Sequence, residues 1–163
     1  MTARTVIFAA TALLVAAPTA APAQYAAAKY GQQGPFQITM INEGGKFSRC
    51  AADINGPGGM MRIAWFAVDR TYWVSIPGHA YKGLAPQLKI GLDGAQGEIV
   101  AGNGNVQRPG TKLSNQMVDA IMKAKSSIEI DYDGVRFKWL TQGVDMTNVF
   151  VAMENCVNKN TGR

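Results

Sequence analysis

From Ser127 to Leu140 apolar and polar side chains alternate in two runs separated by Asp133-Gly134. An Asp-Gly pair between alternating runs predicts a β-hairpin, because both central residues of a type I′ turn need positive φ. If those two residues are the whole loop, the register is fixed: Tyr132 faces Val135, Asp131 faces Arg136, Ile130 faces Phe137, Glu129 faces Lys138 and Ile128 faces Trp139. One predicted face is then Ile128, Ile130, Tyr132, Val135, Phe137 and Trp139. The other pairs two acids with two bases, contacts that contribute roughly 0.2 to 1 kcal/mol each.

The same period of two recurs upstream. Phe36 to Ile41 and Phe47 to Asp53 alternate around a Glu43-Gly44-Gly45-Lys46 turn, which predicts an earlier hairpin carrying Cys50. Asn55-Gly-Pro-Gly-Gly59 reads as a loop, and Met60 to Val68 and Thr71 to Ile76 read as two further strands. Gln87 to Leu92 and Gly97 to Ala101 flank Asp93-Gly94 as another candidate hairpin, followed by a loop over Ala101 to Asn105. The period changes at Ser114, a good N-cap preceded by a staple residue, Leu113. Met117, Val118, Ile121 and Met122 then recur on one helical face up to about Lys125, where cations suit the helix dipole. Asp145 is placed to cap a second helix through Asn155, with Val149, Ala152, Met153 and Cys156 on its inner face. The predicted fold is mostly β (α+β): an antiparallel β-sandwich or curled sheet with two short helices and one disulfide.

The N-terminus changes the picture by adding a compartment. Met1 to Arg4 is a short positive segment, Thr5 to Ala17 is apolar, and Ala21-Pro22-Ala23 is a small-x-small cleavage pattern. These features predict a signal peptide over 1–23, cleaved after Ala23. The apolar run is too short for a bilayer span, which needs about 20 residues. The predicted product has no membrane span after cleavage and resides in the periplasm or is secreted. Of its 140 residues, 24–35 are Ala-, Gln- and Gly-rich and read as a flexible lead-in, 36–158 as a single β-rich domain, and 159–163 as a tail.

Arg4 leaves with the leader, so 15 basic side chains face 11 acidic ones, a net charge of +4. The bases are spread and alternate with apolar residues, which reads as a solvated sheet face and argues against nucleic acid as a partner. Cys50 and Cys156 are the only cysteines, and in an oxidising compartment two cysteines predict one disulfide. With two sulfurs and one imidazole the ligand set for zinc is short, so no metal site is expected, and no motif calls for a cofactor. Gly102-x-Gly104 lacks the third glycine and the helix of a dinucleotide loop, and Asp93-Gly94 and Asp133-Gly134 lack the alternating acids of a calcium loop. The methionines of the first helix lie on its apolar stripe, where packing on a sheet accounts for them. There is no Gly-x-Ser-x-Gly elbow or His-Glu-x-x-His, and Glu129 and Asp131 are answered by cross-strand bases rather than arranged for catalysis. A non-enzyme is therefore expected. The most chemically mixed loop, Pro77 to Pro86, gathers the single His79 with Tyr81 and Lys82, and these three are the candidate binding residues.

The early strand with Cys50, Trp73-Val-Ser-Ile-Pro77, Leu88-Lys-Ile-Gly-Leu-Asp93-Gly94, the short helix at Met117 to Lys123, the hairpin, and Gly143 followed by Ala152 together resemble the invasion-associated locus B family of exported bacterial proteins. The resemblance covers most of residues 36–156. It implies a small β-rich envelope or secreted protein linked to host-cell interaction, with no catalytic residues to carry across. The expected function is an exported, non-enzymatic binding or interaction protein whose partner is a protein or another envelope component. The alternatives are a periplasmic inhibitor of a lysozyme-type wall-degrading enzyme, with His79, Tyr81 and Lys82 entering an acidic cleft, and an envelope hydrolase using His79.

Overall fold

A computed structural model describes residues 25–78, 87–95, 98–101, 103–105, 108–132 and 134–163. Among the described residues, eleven strands and two helices follow in the order β1 (Tyr25–Gln33), β2 (Phe36–Glu43), β3 (Lys46–Gly56), β4 (Gly59–Phe66), β5 (Tyr72–Ser75), β6 (Gln87–Leu92), β7 (Glu98–Ala101), β8 (Asn103–Asn105), β9 (Arg108–Lys112), α1 (Asn115–Lys123), β10 (Ser127–Tyr132), β11 (Val135–Leu140) and α2 (Met146–Thr161). All pairings are antiparallel. They build a seven-stranded sheet, β1-β2-β3-β4-β5-β9-β8, and a four-stranded sheet, β11-β10-β6-β7, neither of which closes into a barrel.

The β10–β11 hairpin has the register its sequence dictates, from Tyr132 opposite Val135 to Ser127 opposite Leu140. Gly134 sits at φ +76°, the left-handed backbone that a tight turn requires. Lys138 Nζ lies 2.9 Å from Glu129 Oε1 on the solvated face. On the other face Ile128, Ile130, Tyr132 and Trp139 are buried, whereas Val135 near the turn remains exposed.

Both sheets and both helices feed one core. Inward-facing residues of the larger sheet, among them Ile38, Ala52, Met61 and Val74, pack with Leu88, Ile90 and Ile130 of the smaller one and with Met117 and Ile121 of α1. Helix α2 lies against the larger sheet and buries Val149, Phe150, Met153, Cys156 and Val157. The Cys50–Cys156 disulfide pins this contact, with the two Cα atoms 6.1 Å apart and 106 residues of chain closed between them. Both caps read from the sequence are formed: Ser114 accepts from the Met117 amide at 3.1 Å, and Asp145 from the Thr147 amide at 2.9 Å.

The structure departs from the sequence reading in four places. The segment read as a flexible lead-in, 24–35, contains β1, paired along β2 from Tyr25 opposite Glu43 to Gln33 opposite Phe36. Because β1 is an edge strand with mostly exposed side chains, it carries no apolar alternation to betray it. Asn55 to Gly59, read as a loop, is strand at both ends around Pro57-Gly58. Its glycines admit the aromatics of β11: a Cβ on Gly56 would stand 2.6 Å from Trp139 Cδ1, and one on Gly58 would collide with Phe137. The Trp139 indole N–H meanwhile donates to the Gly59 carbonyl at 2.9 Å. Asn103–Asn105, read within a loop, forms β8 and pairs with β9. Finally, α2 runs past Asn155 to Thr161, through the segment read as a tail. It ends on Gly162 in the left-handed conformation, with Asn160 and Thr161 side chains bonded to carbonyls one turn back.

Candidate functional site

The seven-stranded sheet has an outer face, opposite α2, that is not simply solvated. Strand register aligns Asp53 of β3, Arg62 of β4, Ser75 of β5 and Gly110 of β9 in one row across it. Two rows further along the strands, Arg49 aligns with Phe66. Ala51 and Ala64 lie between these rows and, with Ile41 opposite Arg49, form a small second apolar cluster, all buried. Tyr25, at the far end of edge strand β1, reaches this face: its hydroxyl accepts from Arg62 Nη1 at 2.7 Å. Flat neighbouring strands lie about 4.8 Å apart, so β1 and β4 would be about 14 Å apart in an uncurled sheet, with Tyr25 further offset along the strand. The contact requires the sheet to curl its first strand back over its own outer face.

The resulting groove has a volume of about 420 Å³ and is lined by Tyr25, Arg49, Arg62, Ala64, Phe66, Trp73, Val74, Ser75, Arg108 and Gly110. Its polar skeleton is a fork. Arg62 Nε and Nη2 donate to the two Asp53 oxygens at 2.6 and 2.8 Å, and Thr39 Oγ1 donates to Asp53 Oδ2 at 3.0 Å. Burial works to lower the Arg62 guanidinium, but the hydrogen bonds and charge of Asp53 outweigh it and hold Arg62 firmly protonated. Arg108 donates to Ser75 Oγ at 3.1 Å and to the Met60 carbonyl at 3.2 Å. Burial pulls its guanidinium below the usual value, and the like charge of Arg62 adds to that pull. At the other end Arg49 pairs with Glu43 at 2.7 Å and lies over the Phe66 ring, 4.7 Å from its centroid. Phe66 in turn meets Trp73 edge to face at 6.2 Å. Three guanidiniums thus share one concavity with three aromatic rings, an arrangement suited to binding and lacking a nucleophile–base pair among these residues.

A second concavity of about 290 Å³ lies on the outer face of the smaller sheet, lined by Lys89, Glu129, Asp131 and Arg136 among others. Here the charges alternate in sign. Asp131 accepts from the Gly134 amide at 3.1 Å, and Glu129 holds Lys138. Nearby, Asp93 ties the β6–β7 turn to the start of β10, accepting from the Lys125, Ser126 and Ser127 amides at 2.8, 2.7 and 2.9 Å. These amide bonds hold its carboxyl far below the usual range.

His79, Tyr81 and Lys82, the candidate binding residues of the sequence, lie outside the described residues. The cysteines are joined on the inner face, behind the groove wall that Arg49 and Ala51 provide. Arg49, Arg62 and Arg108 were not singled out by sequence, where alternating bases read as a solvated face. That reading suits Arg136 and Lys138, but Arg49, Arg62 and Arg108 share the groove. A signal was present in Arg62, which interrupts the apolar run Met60 to Val68, and in Arg49 beside the disulfide-bonded Cys50. Among the described residues no three His, Cys, Asp or Glu side chains come together to hold a metal ion, and no helix is long and apolar enough to cross a membrane.

Comparison with known proteins adds no relative: no family model, no curated protein and no solved structure matches the chain.

Proposed function

We propose that the mature chain is an exported, non-enzymatic binding protein of the bacterial envelope, working in the periplasm or after secretion, with interaction at a host surface as one setting. The observation that carries this reading is the groove on the outer face of the seven-stranded sheet. It spends buried charge on presentation, with guanidiniums and aromatic rings facing outward, rather than on a reactive group. The long-range disulfide supports an oxidising compartment.

The reading is tested by exposing the purified protein to fractionated envelope lipids, glycans and peptidoglycan fragments, with thermal stability and mass spectrometry as paired readouts. A binding protein is stabilised by at least one fraction and returns it chemically unchanged. Stabilisation by no fraction removes the reading, and turnover of peptidoglycan that disappears in His79→Ala replaces it with the hydrolase. The inhibitor alternative stands on His79, Tyr81 and Lys82, and lysozyme that stays fully active under excess protein eliminates it.

A further inference from the structure

The middle of the groove pairs aromatic rings with a floor of small residues. Trp73 stands opposite Ala64 across the β4–β5 ladder, so only a methyl group sits beside the indole on that strand. At Gly110 a Cβ would meet the Val74 carbonyl at 2.7 Å, and no side chain rises there. Phe66 meets Trp73 edge to face, and the Trp73 N–H donates to Thr71 Oγ1 at 3.2 Å, which fixes the indole plane. The volume of about 420 Å³ falls in the small-molecule range, about 300 to 1,000 Å³.

The polar groups around the rings are already engaged, and the manner of their engagement selects a partner. Both Asp53 oxygens take the Nε and Nη2 side of Arg62, and Glu43 takes Arg49. A carboxylate or phosphate entering here would compete with fixed carboxylates for the same N–H groups. Two hydroxyls are differently placed. Tyr25 Oη accepts from Arg62 Nη1 at 2.7 Å and Ser75 Oγ accepts from Arg108 Nε at 3.1 Å, and among the described residues neither donates its own proton to a protein acceptor. Both flank Arg62, since Ser75 is its cross-strand partner, and Ser75 lies two residues from Trp73 on the same face of β5. A hydroxyl that accepts from a guanidinium is polarised by that bond and donates more strongly.

A pyranose ring has the matching halves. Its axial C–H groups form an apolar face that suits an aromatic ring, and its rim carries hydroxyls that both donate and accept. A hydrocarbon chain would cover Phe66 and Trp73 but strip water from Tyr25 and Ser75 without replacing it. An inorganic anion would leave the rings wet.

We propose that this groove binds a neutral saccharide, with one pyranose ring against Trp73 and its hydroxyls bonded to Tyr25 and Ser75. The assignment rests on the binding-protein reading and narrows it to a ligand class.

Calorimetric titration of the disulfide-bonded protein tests it. The probes are cellobiose, maltose, lactose, mannobiose and N,N′-diacetylchitobiose, with inorganic phosphate and dodecanoate, the latter below its micelle-forming concentration, as the competing chemistries. At least one disaccharide is expected to bind at a single saturable site, at least about fivefold more tightly than dodecanoate or phosphate, the difference that one hydrogen bond represents. Trp73→Ala is expected to weaken that disaccharide by about tenfold. Tyr25→Phe and Ser75→Ala each delete one hydroxyl, leave the Asp53 fork in place, and are expected to weaken it by about fivefold. Where Trp73→Ala fails to fold in a thermal melt, the two hydroxyl deletions decide alone. Equal or tighter binding of dodecanoate or phosphate, full disaccharide affinity in a folded Trp73→Ala, full affinity in both hydroxyl deletions, or binding of no disaccharide overturns the proposal. If no disaccharide binds but an envelope fraction still stabilises the protein, the ligand class is wrong and the binding reading survives; if no fraction stabilises it, both fall.

Discussion

The outer faces of the two sheets each carry a cross-strand acid–base pair and set it in different surroundings. On the smaller sheet the Glu129–Lys138 pair leaves the lysine side chain 53% exposed, and the acids and bases of β10 and β11 answer one another across the ladder. On the larger sheet the Asp53–Arg62 pair is only 9% and 12% exposed, covered by Tyr25 and flanked by Arg108. The difference lies in what surrounds the pair: aromatic rings and the Tyr25 contact on the larger sheet, charges of alternating sign on the smaller. A flat, solvated face screens its ion pairs, and such pairs are worth about 0 to 1 kcal/mol. A curled face withdraws charge from water, and that cost is tolerable only where geometry is fixed and bidentate. Buried, oriented charge of this kind is what a ligand can use.

Several substitutions would break or sharpen this contrast. The largest effect is expected from Cys50→Ser with Cys156→Ser, which frees α2 from the sheet behind the groove and should cost about 4 kcal/mol in chemical denaturation. Asp53→Ala should cost about 3 kcal/mol, because it strands the Arg62 charge. An effect no larger than that of a surface pair would mean the groove is as wet as the hairpin. Gly134→Val places a β-branched side chain at φ +76° and should cost about 1 to 2 kcal/mol while leaving ligand affinity untouched. A changed affinity at intact stability would move the hairpin into the site. Glu129→Ala should stay below about 1 kcal/mol and shrink further in high salt.

Asp93 gives the smaller sheet a pH dependence of its own. Its folded-state carboxyl titrates below the ordinary value of 3.8, so its contribution is complete above that value and is lost as pH falls through the folded one. Acid unfolding followed by circular dichroism should show wild type losing stability below about pH 4 relative to a higher-pH reference, and Asp93→Asn showing a shallower loss. Identical slopes would mean the latch on the Lys125 to Ser127 amides contributes nothing.

Local chemistry made the hairpin legible. Asp133-Gly134 sets the loop length, and loop length sets every pairing from Tyr132 opposite Val135 to Ser127 opposite Leu140. The caps Ser114 and Asp145 were readable for the same reason, since a helix N-terminus is satisfied by a residue within a few positions of it. The groove was not readable. Arg49, Arg62 and Arg108 are separated by 13 and 46 positions and look alike on their own strands; only pairing between strands sets them on one face. Edge strand β1 was missed because it has a single paired side and an exposed, Ala-rich sequence, yet it supplies Tyr25.

The sequence by itself determined the class of the fold, the register of its last hairpin, the helix starts, and the single cysteine pairing available. Each of these depends on interactions within a few residues or on a count of two. Tertiary structure alone decided that the larger sheet curls, that Gly56 and Gly58 stay bare for Trp139 and Phe137, and that three scattered arginines meet beside Phe66 and Trp73. Curvature sums small twists over many strands, and the meeting of distant side chains depends on that sum, which no local stretch of sequence records.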